Sequence, residues 1–366
     1  MSTTTCRWGI LGAAFIARKN WQAIRDSGNA SLVAVASRDL ARARAFIDEC
    51  QAQEPHPAVP DAVDSYEALL ARPDIDAVYI PLPTGVRKEW VIRAAQAGKH
   101  VLVEKPVGGD STDVRDMIAA CEENGVQFMD GVMFMHGKRL RHLRGIVDGE
   151  VGRIRHIASQ FSFLSDADFQ RTNIRAHGNL EPLGCLGDLG WYCLRFTLWA
   201  MHETTPTHVT GRIHVETRTS DDVPAVPLAF SGTLAFADGA GASFHCSFDA
   251  AHAQWGIISG DKGLLQVSDF VLPFSGPQTC YSVTRSEFKL DRCHADMHAG
   301  RQVVELDEPS NNAPGSQESQ LFQDFSALVL SGQRDPQWPR ISLLTQRVLD
   351  ASLKSARAGG VAVELR

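Results

Sequence analysis

The sequence predicts an α/β protein in two parts. The first is an amino-terminal, doubly wound parallel sheet; the second is an α+β domain on a large open, mostly antiparallel sheet. Three observations carry this. Short apolar strands alternate with helices from Cys6 to Met129, the pattern of βαβ units. From Thr207 to about Val283 there are instead long alternating runs joined by turn signals such as Asp238-Gly239 and Asp261-Lys-Gly263, as in an antiparallel sheet. A length of 366 residues suits two domains, and the change of pattern divides them into residues 1–130 and 131–366.

Composition excludes several classes. Charged residues are 22% and apolar residues 44%, and the formal net charge is −7, an ordinary soluble balance. Nucleic acid is not an expected partner, because phosphate neutralisation needs clustered Lys and Arg. The one dense basic run, Lys138 to Arg144, reads as a solvated helix face with a few ligand contacts. The eight cysteines form no Cys-x-x-Cys pair and no zinc spacing. They read as reduced thiols of a cytoplasmic protein, and no metal is expected. The run Trp8 to Ala17 is too short, too weakly basic at its front and too broken by Gly9 and Gly12 for a signal peptide. No segment approaches the ~20 apolar residues of a membrane span.

Taken in order, Cys6 to Leu11 is a strand running into Gly12-Ala13-Ala14-Phe15-Ile16-Ala17 and a helix with Trp21 and Ile24. This is the place of a Gly-x-Gly-x-x-Gly turn. Gly12 supplies the tight turn, while Ala14 and Ala17 hold the positions of pyrophosphate approach and close helix packing. Small residues for helix–strand packing explain the alanines equally well. The next strand, Leu32 to Ala36, ends at Ser37-Arg38. An NAD enzyme usually has Asp or Glu there, about 20 residues past the fingerprint, to hold the ribose hydroxyl. A hydroxyl and a guanidinium suit a 2′-phosphate instead, although Ser37 and Asp39 could also cap the following helix. NADP is therefore expected ahead of NAD.

Glu49 to Pro60 reads as a polar connection, Tyr66 to Leu70 as a helix and Ala77 to Ile80 as a strand closed by Pro81-Leu82-Pro83-Thr84. A helix over Glu89–Ala97 ends at Gly98. The stretch His100-Val-Leu-Val-Glu-Lys-Pro106 then passes from a buried strand to Glu104 and Lys105, with Pro106 as the stop. Open α/β sheets bind ligands at the carboxyl ends of their strands, so Lys105 is expected in the crevice. A surface Glu–Lys pair is the plain alternative. A helix over Asp110–Asn124 and a strand over Val126–Met129 complete the first part.

The second part opens with a basic helix, about Lys138 to Val147, and a strand from Gly152 to Phe163. Gly187-Asp188-Leu-Gly-Trp-Tyr192 follows. Asp188 and Tyr192 are four apart, which places them on one face of a helix, with Asp188 in the first turn, where a carboxylate suits the dipole. A helix-start Asp and a core Tyr would look the same. Gln317 to Leu330 and Leu343 to Ala358 read as terminal helices.

Four passages together resemble the glucose-fructose oxidoreductase / inositol dehydrogenase / MocA (GFO/IDH/MocA) family. They are Trp8 to Ala17, Tyr79 to Pro83, Ala97 to Pro106 with its Glu-Lys-Pro element, and Gly187 to Tyr192. Phe161 to Arg175 further resembles a plant and bacterial branch. The resemblance implies an amino-terminal Rossmann domain, a second domain whose open sheet mediates homodimers or homotetramers, and nicotinamide chemistry on sugars, polyols and related molecules. It implies Lys105 as catalytic lysine, Asp188 as supporting acid and Tyr192 as proton donor and acceptor. Gly12, Ala14, Phe15, Ile16, Ser37, Arg38, Pro81, Leu82, Thr84, Glu104 and Lys105 would bind the cofactor. A cis peptide before Pro106 is common in the family. Thr84 and Arg87 depart from it, standing where Asn and His are usual at the nicotinamide end. Arg175, Asn173, His136 and Arg139 are candidate substrate contacts, as polar side chains able to bond hydroxyl groups. The family fold has also been recruited for regulation, so a nucleotide sensor without turnover is the competing expectation.

Overall fold

The computed structural model of the chain describes residues 5–311 and 313–365. It forms two compact units. The first contains the chain as far as His136, the short stretch Asn179–Pro182 and the segment Asn311–Gln346; the second contains Gly137–Gly178, Leu183–Ser310 and the chain from Arg347 on.

The first unit follows the expected alternation: β1 (Cys6–Leu11), α1 (Phe15–Asp26), β2 (Ala30–Ala36), α2 (Leu40–Gln53), β3 (Asp61–Val63), α3 (Tyr66–Leu70), β4 (Ala77–Ile80), α4 (Thr84–Gln96), β5 (His100–Val103), α5 (Ser111–Glu123) and β6 (Phe128–Asp130). Local chemistry sets several helix starts. Asp39 accepts from the Ala41 N–H, Ser65 from Ala68, and Asp110 from Thr112 and Asp113, each satisfying amides that a first turn leaves unpaired. The six strands are parallel in the order β3-β2-β1-β4-β5-β6. The order reverses between β1 and β4, and such switch points open a crevice at the carboxyl ends of the strands. β3 lies at the sheet edge and is only three residues long; nothing in its composition marks it as a strand.

The second unit contains α6 (Lys138–Ile146), β7 (Ile154–Leu164), α7 (Ala167–Thr172), α8 (Trp191–Ala200), β8 (His208–Thr217), β9 (Val226–Ala235), β10 (Gly241–Ser247), β11 (Asp249–Gly260), β12 (Leu264–Val267), β13 (Thr279–Asp291), β14 (His294–Leu306) and β15 (Val363–Glu364). One sheet of nine strands runs in the order β14-β13-β12-β11-β7-β10-β9-β8-β15. Only β7 and β10 pair in parallel. α8 covers one face, and every residue of it is buried. Phe196 sits where a side chain at Gly256 would otherwise lie, and it packs on Phe270 with ring centroids 5.0 Å apart. The sheet runs beyond the expected limit at Val283, because β13 and β14 form a long hairpin whose outer half is exposed on both faces.

After β14 come α9 (Gln317–Ser331) and α10 (Gln337–Arg357). α9 starts at a Ser316 cap and ends at Gly332, which has φ +67°. It belongs to the first unit. Trp8 of β1 packs against Phe322 and Phe325, both at 5.1 Å, and its indole donates to Ser326 Oγ at 3.0 Å. Tyr79 of β4 meets Phe322 at 5.8 Å. A single boundary at residue 130 therefore differs from this division. The apolar face of the parallel sheet is completed by a helix nearly two hundred residues further on, a non-local pairing that a break in periodicity cannot reveal. Among the described residues, no helix is long and apolar enough to cross a membrane.

Candidate active site

At the crest of the parallel sheet, Gly12 has φ +113° and donates its N–H to Ala36 O at 2.8 Å. A Cβ there would stand 2.9 Å from Leu82 Cδ2, so both backbone conformation and packing call for glycine. α1 begins directly after this turn. Ala14 at its start offers no capping side chain, and its first turn carries no acid. The leading N–H groups of α1 thus have no capping side chain among the described residues, and the helix dipole there favours an anion. Phe15 is 87% exposed, Ile16 is half-buried and Ala17 is buried.

One strand over, Ser37 is buried; its N–H donates to Val63 O at 3.1 Å and its hydroxyl accepts from Asp39 N–H at 3.4 Å. Both expected roles of this residue are compatible with that placement. Arg38 is exposed. Arg42, one turn into α2, is also exposed and reaches Ala13 O at 3.5 Å. Tyr66 Oη would stand 3.6 Å from a Cβ at Gly12; burial raises the Tyr66 pKa, and the charges of Arg38 and Arg42 oppose that rise. Among the described residues neither has a carboxylate partner. Sequence reasoning missed Arg42; the available signal was its spacing of four from Arg38 on a capped helix.

Pro81, Leu82 and Thr84 follow β4, and all three are buried. Thr84 donates its hydroxyl to Glu181 Oε2 at 2.5 Å and its N–H to Glu181 Oε1 at 3.1 Å. Glu181 carries no sequence signal, because it reaches this place only through the tertiary fold. Glu104 is buried rather than presented at the crest. Its carboxylate accepts from the Tyr79 hydroxyl at 2.5 Å and from the Lys105 N–H at 3.2 Å, and Asn20 donates to Tyr79 Oη at 2.6 Å. Burial pushes the Tyr79 phenol well above its ordinary pKa, and the adjoining Glu104 carboxylate adds to this, so the phenol stays a donor. This network braces the end of β5. Lys105 is half-buried, and the Lys105–Pro106 peptide is cis.

In the second unit, Asp188 lies in a π-helical turn, Leu186–Gly190, that runs straight into α8. The simple four-residue spacing on one α-helical face therefore gives way to a wider turn. Such turns re-aim side chains and recur at functional sites. From Leu183 to Ala200, Asp188 is the one residue that is not buried. The turn presses close to β10: a Cβ at Gly190 would stand 3.2 Å from Cys246 Sγ. Arg175 Nε pairs with Asp188 Oδ2 at 2.9 Å. Asn173 caps the short 3-10 turn before it, accepting from Arg175 N–H at 3.0 Å. Tyr192 is 7% exposed and meets Phe161 of β7 edge-to-face at 5.6 Å.

Two of the candidate substrate contacts have internal partners in the structure. His136 is buried in the first unit, 2.8 Å from Asp324 Oδ2 and stacked on Trp338 at 4.5 Å. Arg139 is buried in the second unit, where it pairs with the Asp269 carboxylate and donates to Asp269 O at 2.7 Å and Cys280 O at 3.2 Å. Both are committed to internal partners that only folding brings near. Among the described residues, no group of three or more His, Cys, Asp or Glu side chains is placed to hold a metal ion.

A parallel sheet in this strand order, with a glycine turn opening a helix at the switch point, defines the dinucleotide-binding class of α/β folds. Residues 6–132 match the GFO/IDH/MocA family profile described as an oxidoreductase family with an NAD-binding Rossmann fold, and residues 140–266 match the GFO/IDH/MocA C-terminal domain. The chain is 31% identical to D-xylose 1-dehydrogenase (NADP(+)) 2 of Haloferax volcanii, over 98% of this chain and 99% of that protein. It is 32% identical to trans-1,2-dihydrobenzene-1,2-diol dehydrogenase of Mus musculus, over 73% of this chain and 76% of that one. Among solved structures, the 3-ketoreductase KijD10 of Actinomadura kijaniata, in complex with NADP and TDP-benzene, superposes with a TM-score of 0.79 at 26% identity, covering 96% of this chain and 98% of that one. The chain belongs to the GFO/IDH/MocA oxidoreductase family.

Proposed function

We propose that this oxidoreductase uses NADP to move a hydride between nicotinamide and a C–OH or C=O carbon of a sugar, polyol or related small molecule. The observation that carries the cofactor reading is the Gly12 turn with its uncapped α1 and two guanidinium groups, Arg38 and Arg42, that lack carboxylate partners among the described residues. The α1 N–H groups fit a pyrophosphate. Ser37, Arg38 and Arg42 fit a 2′-phosphate. The names of the xylose dehydrogenase and the KijD10 complex, both with NADP, support the same reading.

When bound, the nicotinamide accepts or donates the hydride. The remaining work falls to side chains. Tyr192 takes the substrate hydroxyl proton in oxidation and returns it in reduction. A free phenol has a pKa of about 10, so it needs help as a base at neutral pH. The Lys105 ammonium supplies that help by favouring the phenolate and bonding the same substrate oxygen. Asp188, held by Arg175, orients the substrate or balances charge.

The test is a calorimetric titration of NADPH and NADH against the purified protein, followed by a screen of aldoses, beginning with D-xylose, with NADP+. Tight NADPH binding, weak NADH binding and turnover of at least one sugar are expected. Binding without turnover of any sugar or polyol would favour a nucleotide-sensing role, and no binding of either nucleotide would overturn the reading.

We also propose a homodimer or homotetramer through the face of the nine-stranded sheet opposite α8. The strand register puts Ala158, Ile257, Gln266, Ser282 and Val303 in one row on that face. The same face continues onto the outer hairpin, where Phe288 and Met297 stand opposite each other and are exposed. Nine strands spaced about 4.8 Å apart present a surface comparable to the roughly 800 Å² per partner of a stable interface. Sedimentation at micromolar concentration should give a dimer or tetramer; a monomer would remove this assignment.

A further inference from the structure

Arg87 stands in the first turn of α4 and is 3% exposed. Its Nε and Nη2 donate to Leu82 O at 3.0 and 2.5 Å, and its Nη1 donates to Pro106 O. Leu82 follows β4. Pro106 follows β5 and comes directly after Lys105. The ladder between these strands ends with the Glu104 N–H donating to Ile80 O at 3.2 Å. Past that point the two segments separate into loops, and the guanidinium spans them. Thr84 Oγ1 also reaches Pro106 O, at 3.5 Å.

Burying a charge is costly unless it is well bonded. Burial depresses the Arg87 pKa, while the carboxylates of Glu181 and Glu104 offset part of that effect. The site therefore keeps an expensive residue whose planar fork does something a shorter or single-headed donor cannot, namely hold two carbonyls from two loops at fixed separation.

We propose that Arg87 is a positioning residue that clamps the loop after β5 to the loop after β4 and so fixes the Lys105 backbone for reaction. This rests on the reading of Lys105 as the residue that assists Tyr192. The position departs from the family's usual histidine, and the chain uses it to hold the lysine loop from beneath.

The test compares Arg87→Gln and Arg87→Lys with Lys105→Met, by hydrogen exchange, nucleotide titration, sugar turnover and thermal midpoint. In R87Q, exchange should rise in peptides covering 81–84 and 104–108 and not elsewhere. Its kcat should fall by about 10- to 100-fold, the scale of a misplaced catalytic group, while NADPH affinity holds. R87K keeps the charge and one carbonyl contact, so it should recover part of both losses. Three results would each overturn the clamp: unchanged kcat, a loss that only tracks the unfolded fraction, or R87K no better than R87Q. Full activity in K105M would instead remove the role of Lys105, and the local exchange in R87Q would still decide whether the clamp exists.

Discussion

Replacing Tyr192 by Phe is expected to lower kcat by about 10²- to 10⁴-fold, the usual contribution of a positioned acid–base group, while NADPH affinity stays near wild type. The substitution removes one hydroxyl and keeps the ring. Tyr192 is almost fully buried and packs edge-to-face on Phe161, a contact phenylalanine makes equally well. The fold should survive, and a loss of turnover would report on chemistry. Tyr192 belongs to the second unit, whereas the Gly12 turn and α1 belong to the first, so nucleotide binding should be spared. Lys105→Met should show a comparable defect. If the two act together, the double variant should be scarcely worse than either single one, because residues that serve one step are not additive. Single-turnover absorbance of the reduced nicotinamide measures this directly. Wild-type turnover in Y192F would remove Tyr192 from the mechanism.

The second large effect concerns cofactor choice. Arg38→Ala should weaken NADPH binding by about 10- to 100-fold, since a hydrogen bond to a charged group contributes roughly 1.5–3 kcal/mol and 1.4 kcal/mol is tenfold. NADH should bind R38A about as it binds wild type, because it carries no 2′-phosphate. Arg42→Ala should cause a smaller loss with the same selectivity. Arg42 already spends part of its reach on Ala13 O. Both guanidinium groups are exposed, so added salt should weaken NADPH binding more than NADH binding. Equal losses for the two nucleotides in R38A would mean that Arg38 acts on adenine by stacking. No loss for either would make it a surface residue.

Most of the first unit was legible because its signals are local. A buried parallel strand needs a continuous apolar run, as in Val101 to Val103 and Ala77 to Ile80, and a βα turn needs glycine where φ is positive, as at Gly12. The family motifs are likewise short continuous passages. Where the signal was weak, the reading fell short. β3 is a three-residue edge strand just after a polar connection, and β14 is exposed along nearly all its length, so neither carries a buried-face pattern.

What the sequence determined by itself is the class of fold, the family, and the cofactor and catalytic candidates that lie on continuous motifs: Gly12, Ser37, Arg38, Lys105, Asp188 and Tyr192. Only the tertiary structure decided which polar side chains are already occupied. His136 is taken by Asp324 and Trp338, Arg139 by Asp269, and Glu104 by Tyr79. Arg87 closes on two loop carbonyls, and α9 returns to cover Trp8. The physical reason is common to all of them. A buried polar group must find a partner, and that partner comes from whichever distant segment the packed core brings alongside, which neither periodicity nor spacing encodes.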